Sequence, residues 1–181
     1  HGKRYQNESI RLVRDLHPDW NESKIESEAK TNFETAATKW FVESLLLGRK
    51  LRPNAKWGFY GLPENYLQPC EGTGSNVKCS YEGPSGEIYR SFAARQQAVF
   101  DASTALFPSI YLPDSLIDLP NNASAYVRAV VNECVRISNN SKPVYPYAWH
   151  YYHAGKTLLP INEVVSILNA TAESGGSGVV M

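Results

Sequence analysis

The most informative stretch of this sequence is Leu106-Phe107-Pro108-Ser109-Ile110-Tyr111-Leu112, a short apolar run that Pro113 ends. A run rich in aromatic and branched side chains, bounded by a proline, predicts a β-strand. Similar runs occur at residues 56–61, 144–149 and 178–181. Nearly continuous apolar runs are typical of parallel strands that are buried on both faces.

Helical patterns separate these runs. Apolar residues recur every three or four positions over residues 21–52, 87–104, 125–137 and 161–172, which predicts four helices. Near the start of the first pattern, Ser23-Lys24-Ile25-Glu26 predicts a capping box. A regular alternation of helix and strand predicts an α/β fold with a parallel sheet.

Two architectures share this order of elements, the open doubly wound sheet and the (β/α) barrel. A doubly wound nucleotide binder would carry a glycine-rich phosphate loop, and neither G-x-G-x-x-G nor G-x-x-x-x-G-K-[ST] occurs. Aromatic side chains instead lie at or near the carboxyl ends of the predicted strands, where barrel enzymes place their active sites: Tyr60, Tyr111, Tyr147 and Trp149. We therefore expect a partial (β/α) barrel of the TIM type with about four helix/strand units.

The length of the chain also favours an incomplete domain. A complete barrel needs about 250 residues, whereas this chain has 181. It begins with His1 and ends with the apolar run Gly178-Val179-Val180-Met181, as if inside a core strand. We expect residues 1–181 to form one incomplete barrel domain, a fragment of a longer chain.

Composition excludes several classes of protein. A hydrophobic share of 43% is enough for a core, and 18 Lys+Arg against 18 Asp+Glu give no net charge. A protein that binds nucleic acid by counterion release is therefore not expected. No run of about 18 apolar residues occurs, so no membrane span is predicted in this segment.

Cysteines and sequons indicate the compartment. Cys70 and Cys79 lie in a polar segment, where a local disulfide is favoured over two free thiols, and Cys134 is expected to be a buried free thiol. N-glycosylation sequons begin at Asn7, Asn21, Asn122, Asn139 and Asn169, all in stretches expected at the surface. The sequons predict a secreted or lysosomal protein.

Aromatic rings at strand ends suit a sugar ligand, because a pyranose has an apolar face that packs on Tyr or Trp. The alternative is that these rings belong to the core, as strand aromatics often do. Glycoside hydrolysis also needs a carboxylic acid, and Glu64 and Asp114 follow strands only singly. No cofactor motif and no metal-binding pattern is predicted.

Seven motifs occur in order along the chain: His17-Pro18-Asp19-Trp20, Leu51-Arg52-Pro53, Trp57-Gly58-Phe59-Tyr60-Gly61, Ala105-Leu106-Phe107-Pro108-Ser109-Ile110-Tyr111, Tyr126-Val127-Arg128, Pro146-Tyr147 and Gly176-Ser177-Gly178-Val179-Val180. Together they resemble the hyaluronidase family of animal endo-β-N-acetylhexosaminidases. The resemblance covers essentially the whole chain. It implies a distorted (β/α) barrel that cleaves the β-1,4 N-acetylhexosaminide bonds of hyaluronan, and often of chondroitin, with the substrate's own acetamido group as nucleophile.

The resemblance also implies roles for residues. Tyr60 would line the cleft, Tyr111 would contact the acetamide with Ser109 beside it, and Glu64 and Trp149 would lie along the glycosaminoglycan. The family's catalytic Asp-x-Glu pair is absent from these residues, so no catalytic residue is expected in this chain and the fragment alone should be inactive.

Departures from the family concern substrate preference and pH optimum more than the fold. His153, for example, stands where the family commonly has Asp. The alternatives are a non-catalytic secreted relative that binds sugar and an inactive structural fragment.

Overall fold

The structure is a computed structural model, and it describes residues 2–63, 70–71, 78–117, 122–153 and 157–181. The chain divides into two compact units, His1–Leu47 and Gly48–Met181. Among the described residues, no helix is both long and apolar enough to cross a bilayer.

The first unit contains helix α1 (Gly2–Leu16) and most of helix α2 (Glu22–Leu51). A small apolar cluster of Val13, Ile25 and Ala29 joins the two helices, with Ile10 and Trp20 packed against it. The sequence analysis did not predict α1, because only a narrow seam of its residues is apolar and the remainder of the helix is polar.

The cap of α2 differs from the predicted one. The side-chain Oδ1 of Asn21 accepts a hydrogen bond from the backbone N–H of Lys24 at 3.0 Å. The helix therefore begins at Glu22, and its N-cap is Asn21 rather than Ser23. Asparagine is as good an N-cap as serine, so pattern alone did not separate the two.

The second unit is built on four extended segments, which we number first to fourth: residues 56–61, 106–112, 144–149 and 178–181. Parallel bridges join Tyr60 to Phe107, Leu106 to Val144, Ser109 to Tyr147, and Tyr147 to Val180. The order of the segments in space thus follows their order in the sequence. The predicted parallel arrangement is confirmed.

The segments pair through isolated bridges rather than continuous ladders, and their prolines account for this. Pro108, Pro143 and Pro146 have no N–H to donate, which interrupts a ladder. Their carbonyl groups still accept, from Tyr147 N at 2.8 Å, Leu106 N at 3.0 Å and Val180 N at 2.9 Å respectively.

Helices follow three of the segments. The stretch predicted as one helix over 87–104 is two, α3 (Gly83–Arg95) and α4 (Gln97–Ala102), which meet at Gln96. Helix α5 (Asn122–Ile137) and helix α6 (Ile161–Glu173) lie close to the predicted positions. A short 3₁₀ turn covers Asp114–Leu116.

The two faces of the central segments have different environments. Leu106, Ile110 and Val144 are almost completely buried in the core that α5 and α6 cover. The alternating residues between them are only half-buried. Within the described residues, one face packs on helices and the other carries half-exposed aromatic side chains, in the two-residue period of a strand.

A two-stranded antiparallel hairpin consists of β1 (Cys70–Glu71) and β2 (Lys78–Cys79). Cys70 and Cys79 face each other and form a disulfide, as favoured from the sequence. Both cysteines pack against the core, and α5 contacts β2. Cys134 is a buried free thiol, and burial raises its pKa well above the usual value.

Candidate functional site

Two glycines shape the end of the first extended segment. A Cβ on Gly58 would lie 2.3 Å from the carbonyl oxygen of Ala105, so only glycine allows the first and second segments to approach this closely. Gly61 has φ of +74°, a left-handed conformation that favours glycine, and its N–H donates to the carbonyl of Phe107 at 2.8 Å. Between them, Tyr60 projects at the end of the segment with 55% of its surface exposed.

Tyrosines from three neighbouring segments meet on the aromatic face. The ring centroid of Tyr60 lies 6.2 Å from that of Tyr111 and 4.9 Å from that of Tyr147. Trp149, 40% exposed, extends the group, since its ring centroid lies 6.0 Å from that of Tyr111. We call Tyr60, Tyr111, Tyr147 and Trp149 the aromatic cluster.

The hydroxyl of Tyr111 lies inside this cluster. Burial raises the pKa of Tyr111 to about 12, and the neighbouring hydroxyls of Tyr60 and Tyr147 add to the effect. A phenol with this pKa stays neutral at physiological pH, so it is able to donate a hydrogen bond to a ligand oxygen. The cluster therefore combines exposed ring faces with a protonated donor.

Ser109 and Glu64 were the remaining sequence-based candidates. Ser109 is half-buried and pairs with Tyr147 through a parallel bridge. It lies two residues before Tyr111 on the second segment, so both side chains lie on the same face. Glu64 lies outside the residues that the structure describes. The structure thus brings Tyr60, Tyr111 and Trp149 together and places Ser109 on the neighbouring position of the same face.

Backbone pairing after the third segment holds one further side chain beside the cluster. Tyr152 N–H donates to Thr157 O at 3.0 Å, and His153 N–H donates to Leu112 O at 2.8 Å. The imidazole of His153 is exposed, and its centroid lies 5.6 Å from that of Tyr111. The sequence analysis noted His153 only as a departure from a family pattern, because its proximity to Tyr111 depends on pairing between segments.

The full chain, residues 1–181, matches the model of a glycoside hydrolase family that is described as hyaluronidase. The chain belongs to the hyaluronidase family. Hyaluronidase-1 of Mus musculus is 34% identical over 181 residues, which cover 98% of this chain and 38% of the mouse protein. The chondroitin hydrolase of Caenorhabditis elegans is 39% identical over 139 residues, which cover 77% of this chain and 29% of the worm protein.

The fold is also similar to that of solved hyaluronidase structures. The crystal structure of bee venom hyaluronidase in complex with a hyaluronic acid tetramer matches with a TM-score of 0.77 at 26% identity. That match covers 98% of this chain and 53% of the bee protein. The chain thus spans about half or less of the length of the relatives that it matches.

The structure places the sequon asparagines at or near the surface. Four of the five sequon asparagines are exposed and one is half-buried: Asn7, Asn21, Asn139 and Asn169 are exposed, and Asn122 is half-buried. Among the described residues, no group of three or more His, Cys, Asp or Glu side chains is arranged to hold a metal ion.

Proposed function

We propose that the protein to which these residues belong is a hyaluronidase, a glycosidase that hydrolyses the β-1,4 N-acetylhexosaminide bonds of hyaluronan, with chondroitin as a second substrate. The observation that supports this most strongly is the aromatic cluster. In a chain of the hyaluronidase family, three tyrosines from adjacent parallel segments and a tryptophan converge on one face. Exposed Tyr and Trp rings offer packing surface for the apolar faces of a polysaccharide.

We assign the following roles. Tyr60 and Trp149 line the binding surface and pack against sugar rings. Tyr111 donates its hydroxyl hydrogen to the acetamide of the substrate, since a tyrosine phenol keeps its proton at neutral pH. Ser109 lies beside Tyr111 on the same face, and Glu64, which lies outside the described residues, stays a proposed cleft residue from its place in the sequence alone.

The proton donor comes from elsewhere in the protein under this proposal. Residues 1–181 contain no Asp-x-Glu sequence, and a glycosidase whose substrate acetamide acts as nucleophile still needs a general acid. General acid–base catalysis contributes about 10²- to 10⁴-fold, so we expect residues 1–181 alone to be inactive. The four parallel segments would be one part of a (β/α) barrel, with the cluster at its catalytic end.

The substrate class follows from chemistry and from relatives. A chondroitin hydrolase and several hyaluronidases resemble this chain, and the similar bee venom structure holds a hyaluronic acid tetramer. A glycosaminoglycan partner is therefore proposed, and the surface sequons support a secreted or lysosomal location. Glycopeptide mapping of the purified protein would test that location, because only a protein that has passed through the secretory pathway carries N-glycans.

Digestion of defined hyaluronan by the full-length protein tests the function. We expect the polymer to shorten while new reducing ends appear, and Tyr111→Phe to slow both. Saturable hyaluronan binding with no new reducing ends would instead establish a non-catalytic sugar-binding protein. Absence of both binding and cleavage, in a protein that is cooperatively folded, would refute the proposal.

A further inference from the structure

His153 is a titratable side chain at the rim of the aromatic cluster. Its backbone N–H is fixed by the carbonyl of Leu112, and its ring lies 5.6 Å from the ring of Tyr111 at an interplanar angle of 31°. The preceding residue, Tyr152, is buried and points into the core, so the alternation of the backbone directs His153 outward. The imidazole is thus held in a defined place and still exposed to solvent.

A surface that binds a glycosaminoglycan benefits from positive charge. Hyaluronan and chondroitin carry a carboxylate on every second sugar, so a surface that binds them gains from a cation near the sugar-packing rings. The cation–π pairs that the described residues form lie elsewhere, Lys24 over Trp20 and Arg95 over Phe92. His153 is therefore well placed to supply a charge next to Tyr111.

The groups around His153 leave its charge available to a ligand. Tyr111, which faces the imidazole, is neutral. Two carboxylates lie on the neighbouring elements. Asp114, two residues after Leu112, has one buried oxygen without a partner, and Glu163 accepts from the hydroxyl of Tyr152 at 2.5 Å. No salt bridge joins His153 to an acidic side chain among the described residues.

We propose that His153 is a specificity-determining residue of the cleft: at acidic pH its imidazolium pairs with a uronate carboxylate of a polysaccharide that packs on Tyr111. This inference rests on the proposed function and adds pH dependence to it. Histidine ordinarily changes its charge between about pH 5 and pH 8, while an ordinary carboxylic acid is ionised above about pH 4. Both partners are charged only in the acidic window, so affinity for the substrate falls as pH rises.

The test is the pH dependence of hyaluronan oligosaccharide binding by the full-length protein, measured by calorimetry at about pH 5 and about pH 8. An exposed ion pair contributes about two- to fivefold in affinity. We expect the wild-type Kd to rise by that factor between the two pH values and the Kd of His153→Gln to stay level. His153→Lys, which keeps its charge at both pH values, should bind tightly at both.

His150 provides the matched control. It is another exposed histidine, three residues before His153 and directly after the third segment, and its ring lies beside those of Trp149 and Tyr151 rather than that of Tyr111. His150→Gln should keep the wild-type pH dependence. A level wild-type Kd, or a His153→Gln protein that keeps the wild-type slope, would overturn the role of His153, whereas a wild-type protein that binds no hyaluronan at either pH would refute the proposed function itself.

Discussion

Among the described residues, the hydroxyl group of Tyr111 is the one that the proposed hydrolysis depends on most, because it donates to the substrate acetamide. Tyr111→Phe removes the donor and leaves the ring, so packing with Tyr60 and Trp149 is retained. Loss of one donor that acts on the reacting group typically costs about 10²- to 10³-fold in kcat. We predict a fall in kcat of about 10²-fold with little change in KM, measured from initial rates of reducing-end formation on hyaluronan.

Tyr145→Phe is the control for that variant. Tyr145 is half-buried on the same extended segment as Tyr147, and its ring packs on Phe107 with centroids 6.0 Å apart. Removal of its hydroxyl should leave the rate within about twofold of wild type, since no role in binding is assigned to it. Equal losses in the two variants would show that the Tyr111 effect is structural.

Substitution of Glu133 on α5 is predicted to lower the stability of the protein. Its side chain is 3% exposed and accepts two hydrogen bonds from Arg136, both 2.7 Å long, while Arg90 lies 4.0 Å away. Glu133→Gln replaces the buried carboxylate by an amide with one acceptor oxygen, so one hydrogen bond from Arg136 is lost and a buried amide N–H₂ is left facing the arginines; we predict a loss of about 1–3 kcal/mol in the free energy of unfolding. Chemical denaturation at neutral pH measures this loss.

An exposed ion pair provides the control for Glu133→Gln. Glu173 pairs with Arg128, and the side chain of Glu173 is 56% exposed. Glu173→Gln should cost less than about 1 kcal/mol, because exposed ion pairs contribute little. A larger loss from Glu173→Gln than from Glu133→Gln would contradict the importance of burial.

At the scale of elements, the close approach of the first and second segments depends on Gly58. An added Cβ would meet the backbone oxygen of Ala105 at 2.3 Å, so Gly58→Ala must push the segments apart. We predict a loss of about 2–4 kcal/mol in the free energy of unfolding, the range for a steric clash in a packed site.

Gly61→Ala is the control for Gly58→Ala, because it introduces backbone strain without a steric clash. Gly61 has φ of +74° and no atom within 4 Å of the added Cβ. Its substitution should cost about 1–2 kcal/mol, from the left-handed conformation alone. Paired denaturation curves compare the two variants, and equal losses would mean that the contact with Ala105 is not what constrains Gly58.

The elements also differ in how far they could be predicted. Helices α5 and α6 follow from apolar periodicity, because one face of each packs on the core. Helix α1 escaped prediction because its apolar seam is narrow, and the break at Gln96 escaped because the apolar pattern continues through it. The N-cap at Asn21 was not distinguished from Ser23, because asparagine and serine are equally good N-cap residues.

The candidate site was predictable in part. Tyr60, Tyr111 and Trp149 were found because each follows an apolar run, and parallel strands bring such positions to one edge. Along the second and third segments, core residues alternate with residues of the aromatic face. The sequence pattern did not predict this alternation, since both faces carry apolar residues. The contact between His153 and Tyr111 depends on a turn that pairs residues 150–152 with 157–159, which composition does not reveal.

At the scale of the whole molecule, the central claim is that the aromatic cluster is the sugar-binding surface of a hyaluronidase. The most direct measurement is a crystal structure of the full-length protein with a hyaluronan tetrasaccharide. The account predicts a sugar ring in van der Waals contact with Tyr60 or Trp149 and an acetamide oxygen within hydrogen-bonding distance of the Tyr111 hydroxyl. An oligosaccharide bound elsewhere, with these side chains free of it, would contradict the account.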